Sequence, residues 1–357
     1  MRDPMPNGYP PTPAGAAKSG ICCSGRDCNS GKGGIGCVLK VESLTVTISA
    51  HGVTIVQPLS FEIGRGEMVA LVGESGSGKS ITCRALMGLL PANIKSSGHI
   101  AITGGQGDRR VGKVAMVFQD PVGTLNPVRT IGFHLREILG LHSKLPAAEL
   151  RAKAVEALHS VRIRDPEATL SLYPHQLSGG MNQRVGIALA LAADPLLLLA
   201  DEPTSSLDTT TQAETMDLIG ELREKNGLAV LFVTHDLGLV NQRADRVIVM
   251  YGGQLVESGP AQKIFTAPTH PYTAALLRSI PKLPSNGVPL EGIPGQVPAP
   301  GDGPFCCRFS NRCPKADDKC FSVTAPEVLL EGGQLVRCHY PISSQVSRGG
   351  AHVATAS

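Results

Sequence analysis

Short apolar runs alternate with helical patterns through most of the chain. Alternating positions over Leu39–Val46 predict a half-buried strand, whereas Met68–Val72 is apolar throughout, as in a strand buried on both faces. Leu196–Ala200 and Ala229–Val233 repeat the second pattern, with a helical stretch over Thr210–Lys225 between them. Strands that alternate with helices predict an α/β fold built on a parallel sheet.

The two ends of the chain have a different texture. Residues 1–37 contain eight Gly and five Pro without a hydrophobic period, which predicts a disordered leader. Residues 281–304 contain seven Pro and five Gly and predict a linker into a small cysteine-held appendage. We therefore expect an ordered domain over residues 38–270, an extension over residues 271–341 and a disordered tail over residues 342–357.

Composition narrows the functional classes. Hydrophobic residues make up 42% of the chain, which allows a large core and excludes disorder throughout. Lys and Arg number 33 against 30 Asp and Glu, and the net charge of +3 is too small for a protein that coats a phosphate backbone. No apolar stretch reaches the ~20 residues of a membrane span, and the N-terminus lacks the apolar core of a secretory signal. We expect the chain to remain in the cytosol.

A glycine-rich segment follows the first fully apolar strand. Gly73–Ser80 reads G-E-S-G-S-G-K-S and fits G-x-x-x-x-G-K-[ST] between a predicted strand and a predicted helix over Ser80–Leu90. Glycines allow backbone N–H groups to turn toward phosphate oxygens, and the helix start adds a positive dipole. Lys79 is expected at the β- and γ-phosphates and Ser80 at Mg²⁺. The predicted nucleotide-binding residues of this segment are Gly73, Ser75, Gly76, Gly78, Lys79 and Ser80.

Two adjacent acids follow the apolar strand Leu196–Ala200. Ligands of parallel sheets collect at the carboxyl ends of the strands. We expect Asp201 to bind Mg²⁺ through water and Glu202 to orient or deprotonate the water that attacks the phosphate. A solvated strand end is the alternative, and the preceding phosphate loop makes it the weaker interpretation.

A third segment narrows the set of nucleotide-binding families that the sequence resembles. Leu177–Arg184 reads L-S-G-G-M-N-Q-R and precedes the acidic pair. With it, the chain resembles the ATP-binding subunits of ABC transporters over residues 38–270. The resemblance implies a P-loop nucleotide-binding fold with a parallel sheet core, an antiparallel β subdomain and a helical subdomain. It also implies that Ser178, Gly179 and Gly180 contact the γ-phosphate of ATP held by a second ATP-binding chain.

Other positions match the same family. Gln119 matches the glutamine that senses Mg²⁺ and couples to the membrane subunits, Asp208 ends the D-loop segment S-S-L-D, and His235 matches the switch histidine at the γ-phosphate. The resemblance thus implies Mg²⁺ contacts for Gln119 and a nucleotide-site role for Asp208. One departure concerns adenine, which many family members stack on an aromatic residue. Ile48–Val53 contains none, so either His51 stacks on the base or the base contact is weak.

Further segments resemble importers of peptides and nickel. Gln119–Pro121 with Thr124–Pro127, and Tyr173–Gln176 directly before the signature, are similar to that branch. His270–Leu277, with I-P-G at Ile293–Gly295, resembles the C-terminal extension of oligopeptide and dipeptide importers. The resemblance implies an ATPase that energises import of di- and oligopeptides, with nickel as the alternative cargo.

This branch also implies partners and a location. The partners are a second, paralogous ATP-binding subunit, two membrane permeases and, indirectly, a solute-binding protein, with no nucleic acid. The expected place is the cytoplasmic face of the inner membrane, bound peripherally. Soluble family members that act on DNA or ribosomes are the rival class, but no coiled coil and no second cassette is visible here. A vestigial cassette is disfavoured because Lys79, Asp201, Glu202 and His235 are all present.

The extension carries a cluster of five cysteines. The spacing Cys307-x5-Cys313-x6-Cys320-x17-Cys338 offers four thiolates for a [4Fe–4S] cluster or a tetrahedral zinc, with Cys306 as a spare neighbour. Zinc sites usually show tighter C-x2-4-C pairs, and the family's extension is known as an iron–sulfur binder, so the resemblance favours the cluster. Reduced structural thiols are the remaining alternative. The leader cysteines, which are Cys22, Cys23, Cys28 and Cys37, offer a second set of thiols for a metal, but in such flexible sequence we expect them to be unpaired.

Overall fold

The computed structural model describes residues 36–103, 113–143, 145–205, 207–280, 292–303 and 306–342. Outside the described residues lie the leader over residues 1–35 with three of its cysteines, Ser206 of the D-loop and the tail over residues 343–357. In the part of the chain that is described, no helix combines the length and the apolarity needed to cross a membrane.

Strands and helices alternate along the described chain, as the hydrophobic pattern predicts. The strands are β1 (Cys37–Ile48), β2 (Val53–Gly64), β3 (Met68–Val72), β4 (Ile94–Ile102), β5 (Val114–Val117), β6 (Leu197–Asp201), β7 (Ala229–Val233), β8 (Arg246–Tyr251), β9 (Gln254–Pro260), β10 (Glu327–Leu329) and β11 (Leu335–Arg337). The helices are α1 (Lys79–Met87), α2 (Pro121–Thr124), α3 (Ile131–His142), α4 (Ala147–Ser160), α5 (Pro166–Thr169), α6 (Gly179–Leu191), α7 (Thr209–Asn226), α8 (Leu237–Arg243), α9 (Ala261–Thr266), α10 (Pro271–Arg278) and α11 (Asp318–Ser322), with 3₁₀ turns at Pro174–Gln176 and Ser310–Arg312.

The larger sheet has the strand order β10-β11-β9-β8-β3-β7-β6-β5. Its five strands from β8 to β5 are parallel, which confirms the parallel sheet predicted from the sequence. The strands β9, β11 and β10 continue the sheet in antiparallel fashion. A smaller antiparallel sheet, β2-β1-β4, packs over one face of it.

The central strand β3 shows how both faces of the large sheet are buried. Met68, Ala70 and Val72 belong to a core shared with helices α3, α4 and α6 to α10, whereas Val69 and Leu71 belong to a second core shared with β1, β2 and α1. Successive side chains of a strand point to opposite faces, so an unbroken apolar run fits a strand between two layers. The phosphate loop therefore begins from a strand that is held on both sides.

Helix α1 is shorter than predicted. The sequence predicts a helix to Leu90, but α1 ends at Met87 because Gly88 adopts a left-handed conformation with φ 75°. The N–H of Gly88 reaches back to the carbonyl oxygens of Ala85 and Arg84, which closes the last turn.

The extension, which the sequence predicts as a small cysteine-held appendage, is joined to the large sheet. Strand β11 pairs with β9, with Leu335 opposite Ser258 and Val336 opposite Glu257. Val336 is fully buried. An exposed edge of β9 would leave backbone groups unpaired, and β11 satisfies them, so the extension completes the sheet.

Candidate nucleotide site

The phosphate loop connects β3 to α1, and its glycines shape it. Gly73, Gly76 and Gly78 have φ angles of 150°, 78° and 97°, which side chains with a Cβ rarely adopt. A Cβ on Gly73 would collide with the carbonyl oxygen of Met250. Ser75 and Gly76 are exposed at the tip of the loop. The loop therefore combines a close approach to β8 at its base with an open outer surface.

Lys79 lies inside this loop. Its Nζ donates to the carbonyl oxygens of Gly73 at 2.8 Å and Glu74 at 2.9 Å. Burial lowers the pKa of Lys79, and the nearby carboxylates of Glu202, Asp201 and Glu74 oppose that effect. A cation enclosed among backbone dipoles is well placed to receive an anionic ligand at the start of a helix.

Ser80 and Asp201 meet at the carboxyl end of β6. The Ser80 hydroxyl donates to Oδ1 of Asp201 at 2.9 Å. Burial raises the pKa of Asp201, and the hydrogen bond from Ser80 opposes the rise. The two side chains offer a hydroxyl and a carboxylate oxygen, which are the hard donors that Mg²⁺ prefers.

Glu202 lies between two other predicted residues. Its Oε2 accepts a hydrogen bond from Nε2 of Gln119 at 3.3 Å and lies 3.5 Å from Nδ1 of His235. Glu202 has a positive φ of 47°, which is uncommon for a residue with a side chain. Because Gln119 and His235 are exposed, this carboxylate stands at the open side of the site. The structure thus brings the phosphate loop, both acids, Gln119 and His235 together.

The signature segment lies at the start of α6. The hydroxyl of Ser178 accepts the N–H of Met181 at 3.3 Å and caps the helix. Ser178 and Gly179 are exposed, and Gly180 is half-buried. Helix N-termini present free N–H groups, so this surface has the chemistry to meet an anion from outside the chain.

Asp208 caps α7 in a similar way. Its Oδ1 accepts the N–H groups of Thr210 at 3.1 Å and Thr211 at 3.0 Å, and hydrogen bonds from Thr211 lower the pKa of Asp208. Among the described residues, no hydrogen bond joins Ser178 or Asp208 to the phosphate loop. Within the described part of the chain, Ser178 and Asp208 therefore make no hydrogen bond to the cluster around Glu202, whereas Ser205, the first residue of the D-loop segment, donates its hydroxyl to the Glu202 carbonyl oxygen at 3.1 Å.

The turn between β1 and β2 is where the sequence lacks an aromatic residue for adenine. His51 is exposed in this turn. The extension approaches it closely, because a Cβ on Gly301 would lie 3.1 Å from Cγ1 of Val53.

The sequence gives no sign of a second set of contacts on the phosphate loop. The backbone N–H of Glu74 donates to the hydroxyl of Tyr272 at 2.9 Å, and the Glu74 carboxylate accepts from Nη1 of Arg312 at 2.8 Å. Both partners come from the C-terminal extension. Only the match of the segment H-P-Y to a known extension could have drawn attention to Tyr272, and no motif marks Arg312.

Four of the five cysteines of the extension, Cys307, Cys313, Cys320 and Cys338, line one small cavity together with His270, Phe309 and other residues of that region. Burial raises the pKa of Cys307 and of Cys338 to about 11. In the described part of the chain, no group of three or more His, Cys, Asp or Glu residues has the arrangement of a metal site. The structure therefore brings the predicted thiols to one cavity without forming a closed ligand set.

Comparisons with known proteins place the chain in a family. The family model described as ABC transporter matches residues 56–205, and the one described as Oligopeptide/dipeptide transporter, C-terminal region, matches residues 256–320. The dipeptide transport ATP-binding protein DppD of Escherichia coli is 42% identical over 317 residues, which are 85% of this chain and 97% of the relative. The chain belongs to the ABC transporter ATP-binding proteins. It is therefore an ATP-binding protein and an ATPase of the ABC type.

Other relatives agree with this assignment. The oligopeptide transport ATP-binding protein AppD of Bacillus subtilis is 45% identical over 298 residues, covering 79% of this chain and 90% of the relative. The structure of cbiO1 from Clostridium perfringens, part of an ABC transporter complex, matches with a TM-score of 0.56 and 29% identity over 65% of this chain and 91% of that one. A dimeric ATP-binding cassette bound to ADP and phosphate matches with a TM-score of 0.55 and 29% identity over 62% of this chain and 98% of that one.

Proposed function

We propose that this chain is the ATP-hydrolysing subunit that energises import of di- and oligopeptides through an ABC transporter. The observation that carries the proposal is the pairing of two regions in one chain. A cassette with a complete set of phosphate-site residues is followed by a region that matches the C-terminal part of oligopeptide and dipeptide transporters. The relatives named for dipeptide and oligopeptide transport match both regions over most of their length.

Within the cassette we assign a role to each residue of the phosphate site. The loop glycines, with Ser75, present N–H groups to the phosphates of ATP, and Lys79 neutralises their charge. Glu202 orients the attacking water and accepts its proton, since its carboxylate lies at the open side of the site. Gln119 and His235 both lie beside Oε2 of this carboxylate, and we assign His235 to the γ-phosphate and Gln119 to Mg²⁺ next to it.

The donor set near β6 fits Mg²⁺. Ser80 and Asp201 already lie within 2.9 Å of each other, and both offer oxygen ligands. When bound, Mg²⁺ supplies charge neutralisation at the phosphates. We assign Ser80, Asp201 and Gln119 to its environment.

The signature residues are assigned to a neighbouring chain's nucleotide. Ser178 and Gly179 are exposed at a helix start and have no hydrogen bond to this chain's own phosphate loop within the described residues. We propose that they, with Gly180 and Asp208, complete the site of a second, paralogous ATP-binding subunit. Two permeases and, indirectly, a solute-binding protein complete the transporter, with the chain bound to the cytoplasmic face of the membrane.

We also propose that Cys307, Cys313, Cys320 and Cys338 bind a [4Fe–4S] cluster, with zinc as the alternative. Support comes from their convergence on one cavity and from the affinity of thiolates for these centres. Because thiolates are the ligands, the thiols must lose their protons when the metal binds. Burial raises the pKa of Cys307 and Cys338 and keeps them protonated until then. We assign these cysteines to an extension over residues 271–341, which follows a cassette over residues 38–270.

An uptake experiment tests the proposed cargo. A strain that lacks the gene should fail to take up labelled di- and oligopeptides, and the intact gene should restore uptake while Glu202→Gln should not. Normal peptide uptake with loss of nickel-dependent enzyme activity would transfer the assignment to nickel. Normal uptake of both would contradict the transport role.

A turnover measurement tests the shared site. The isolated chain should hydrolyse ATP slowly and gain activity when it is assembled with a second ATP-binding chain and two permeases. If the dilute chain alone turns over as fast as the complex, the signature residues do not act across an interface.

A further inference from the structure

Glu74, in the phosphate loop, is held from three directions. Its N–H donates to the Tyr272 hydroxyl at 2.9 Å, its carboxylate accepts from Arg312 at 2.8 Å, and its carbonyl oxygen accepts from Nζ of Lys79 at 2.9 Å. The first two partners lie 198 and 238 residues further along the chain. The extension and the lysine of the phosphate site therefore act on the same loop residue.

Tyr272 is itself rigidly placed. It is fully buried, and its ring packs against Tyr251 at 4.6 Å and against Phe309 at 5.3 Å between centroids. Burial raises the pKa of Tyr272, so its hydroxyl stays protonated. Its backbone N–H donates to Nδ1 of His270 at 3.0 Å, which further fixes its position on α10. A hydroxyl fixed in this way holds the Glu74 N–H in one direction.

Arg312 is equally restrained. Its guanidinium donates to the carbonyl oxygens of Pro294 at 2.7 Å and Ile293 at 2.9 Å, as well as to the Tyr251 hydroxyl at 3.1 Å. The side chain is 5% exposed, and that of Glu74 is 27% exposed. Because the planar guanidinium of Arg312 donates several hydrogen bonds at once, the Arg312–Glu74 ion pair has a fixed geometry that an exposed ion pair lacks.

The negative charge of Glu74 links its contact with Arg312 to the binding of ATP. A carboxylate in a loop that binds phosphates repels them, and the repulsion is strong where water is partly excluded. Arg312 neutralises that charge from the side of the extension. Removing only Arg312 leaves an uncompensated carboxylate next to the ligand, which costs more than removing both charges.

We propose that the C-terminal extension is a positioning element of the ATP site, with Tyr272 and Arg312 as positioning residues that act through Glu74. Tyr272 fixes the backbone of the loop, and Arg312 fixes and neutralises its carboxylate. Loss of either contact lets the loop leave the arrangement that accepts phosphates. The inference rests on ATP binding by the cassette and is independent of the transported cargo.

ATP affinity of the purified full-length chain tests this directly. Tyr272→Phe keeps the ring packing but removes the acceptor of the Glu74 N–H, and it should weaken ATP binding by about tenfold, as expected for a hydrogen bond worth about 1.4 kcal/mol. Arg312→Gln should weaken binding by at least the same factor. In both variants the maximal turnover of the assembled complex at saturating ATP should change less than the KM for ATP, because the reacting groups around Glu202 are untouched.

A double variant separates positioning from general loss of structure. Because Glu74→Gln removes the charge that Arg312 neutralises, the variant with both substitutions should bind ATP no more weakly than Arg312→Gln alone. Arg337→Gln is the matched control, since it breaks another Arg–Glu pair of the extension, with Glu327, that does not touch the phosphate loop. Its ATP affinity should equal that of the unchanged chain.

The measured ATP affinities decide between these possibilities. ATP affinities of Tyr272→Phe and Arg312→Gln that match the unchanged chain overturn the inference, as does a double variant that binds ATP more weakly than Arg312→Gln alone. An equal loss in the Arg337→Gln control shows that damage to the extension in general lowers affinity, and it also overturns the specific role. If the unchanged chain binds no ATP, the proposed function fails first, and that result is distinct from the others.

Discussion

The phosphate site and the cysteine-lined extension are assembled in different ways. In the cassette, short motifs such as the phosphate loop and the acidic pair converge because parallel strands end at one edge of the sheet. In the extension, single residues far apart in sequence converge on Glu257 and Glu74 of the cassette. A site at strand ends can be recognised in the sequence from local motifs. Contacts formed where the extension packs on the cassette can be recognised only in the structure.

The largest expected effect lies at the phosphate site. Glu202→Gln should slow ATP hydrolysis by about 10²–10⁴-fold, because it removes the carboxylate that accepts a proton while it leaves the phosphate loop intact. ATP affinity should stay close to that of the unchanged chain, whereas Lys79→Ala should lower affinity itself. Separate measurements of ATP binding and single-turnover hydrolysis check this. A glutamine variant with near-normal turnover would remove Glu202 from the chemistry.

The second prediction concerns the cavity of the extension. Anaerobically purified protein should be brown and contain about four irons per chain if one [4Fe–4S] cluster is bound. Cys313→Ser should bleach it, because the cavity loses one of four ligands. Cys306→Ser is the control and should keep its iron, since Cys306 does not line the cavity. Colourless protein with one zinc per chain would assign the site to the tetrahedral alternative.

These two sites also show what the sequence reveals. The phosphate loop, Asp201 and Glu202 could be named from local motifs at strand ends, whereas Gln119 and His235 could be named only from the resemblance to the ABC family. The structure brings these residues together. Arg312 could not be named, because a single arginine among the cysteines of the extension carries no period or motif. Strands β10 and β11 are three residues each, too short to show alternation, so their union with β9 was not predictable either.

The third prediction concerns the carboxylate that docks the extension. Glu257 is fully buried, and its two oxygens accept from the N–H groups of Thr269 at 2.8 Å and His270 at 2.9 Å, and from Gln334 at 3.2 Å. Glu257→Gln replaces one carboxylate oxygen by an NH₂ group that faces the donors of Thr269, His270 or Gln334. Because that hydrogen bond is lost, the free energy of unfolding should fall by about 1–3 kcal/mol. Denaturant unfolding measures this, with the exposed Glu156→Gln as a control. An unchanged midpoint would mean that these bonds contribute nothing net.

The smallest effect is expected for ion pairs, and it differs between the two regions. In the cassette, Arg246 pairs with Glu67 at 3.1 Å and also donates to the Glu62 carbonyl oxygen at 3.1 Å, with side chains 13% and 19% exposed. In the extension, Arg337 pairs with Glu327, which is 49% exposed. Water compensates a half-exposed carboxylate that loses its partner, but it compensates a nearly buried one poorly.

Arg246→Gln should therefore lower the free energy of unfolding by about 1–3 kcal/mol, because it leaves the Glu67 carboxylate and a backbone carbonyl short of donors. Arg337→Gln should lower it by about 0–1 kcal/mol, and added salt should reduce that small difference further. Denaturant unfolding at low and high salt measures both variants against the unchanged chain. If Arg337→Gln costs as much as Arg246→Gln, the edge strands β10 and β11 depend on their ion pair more than on the burial of Val336, and the extension is held by charge at its outer edge.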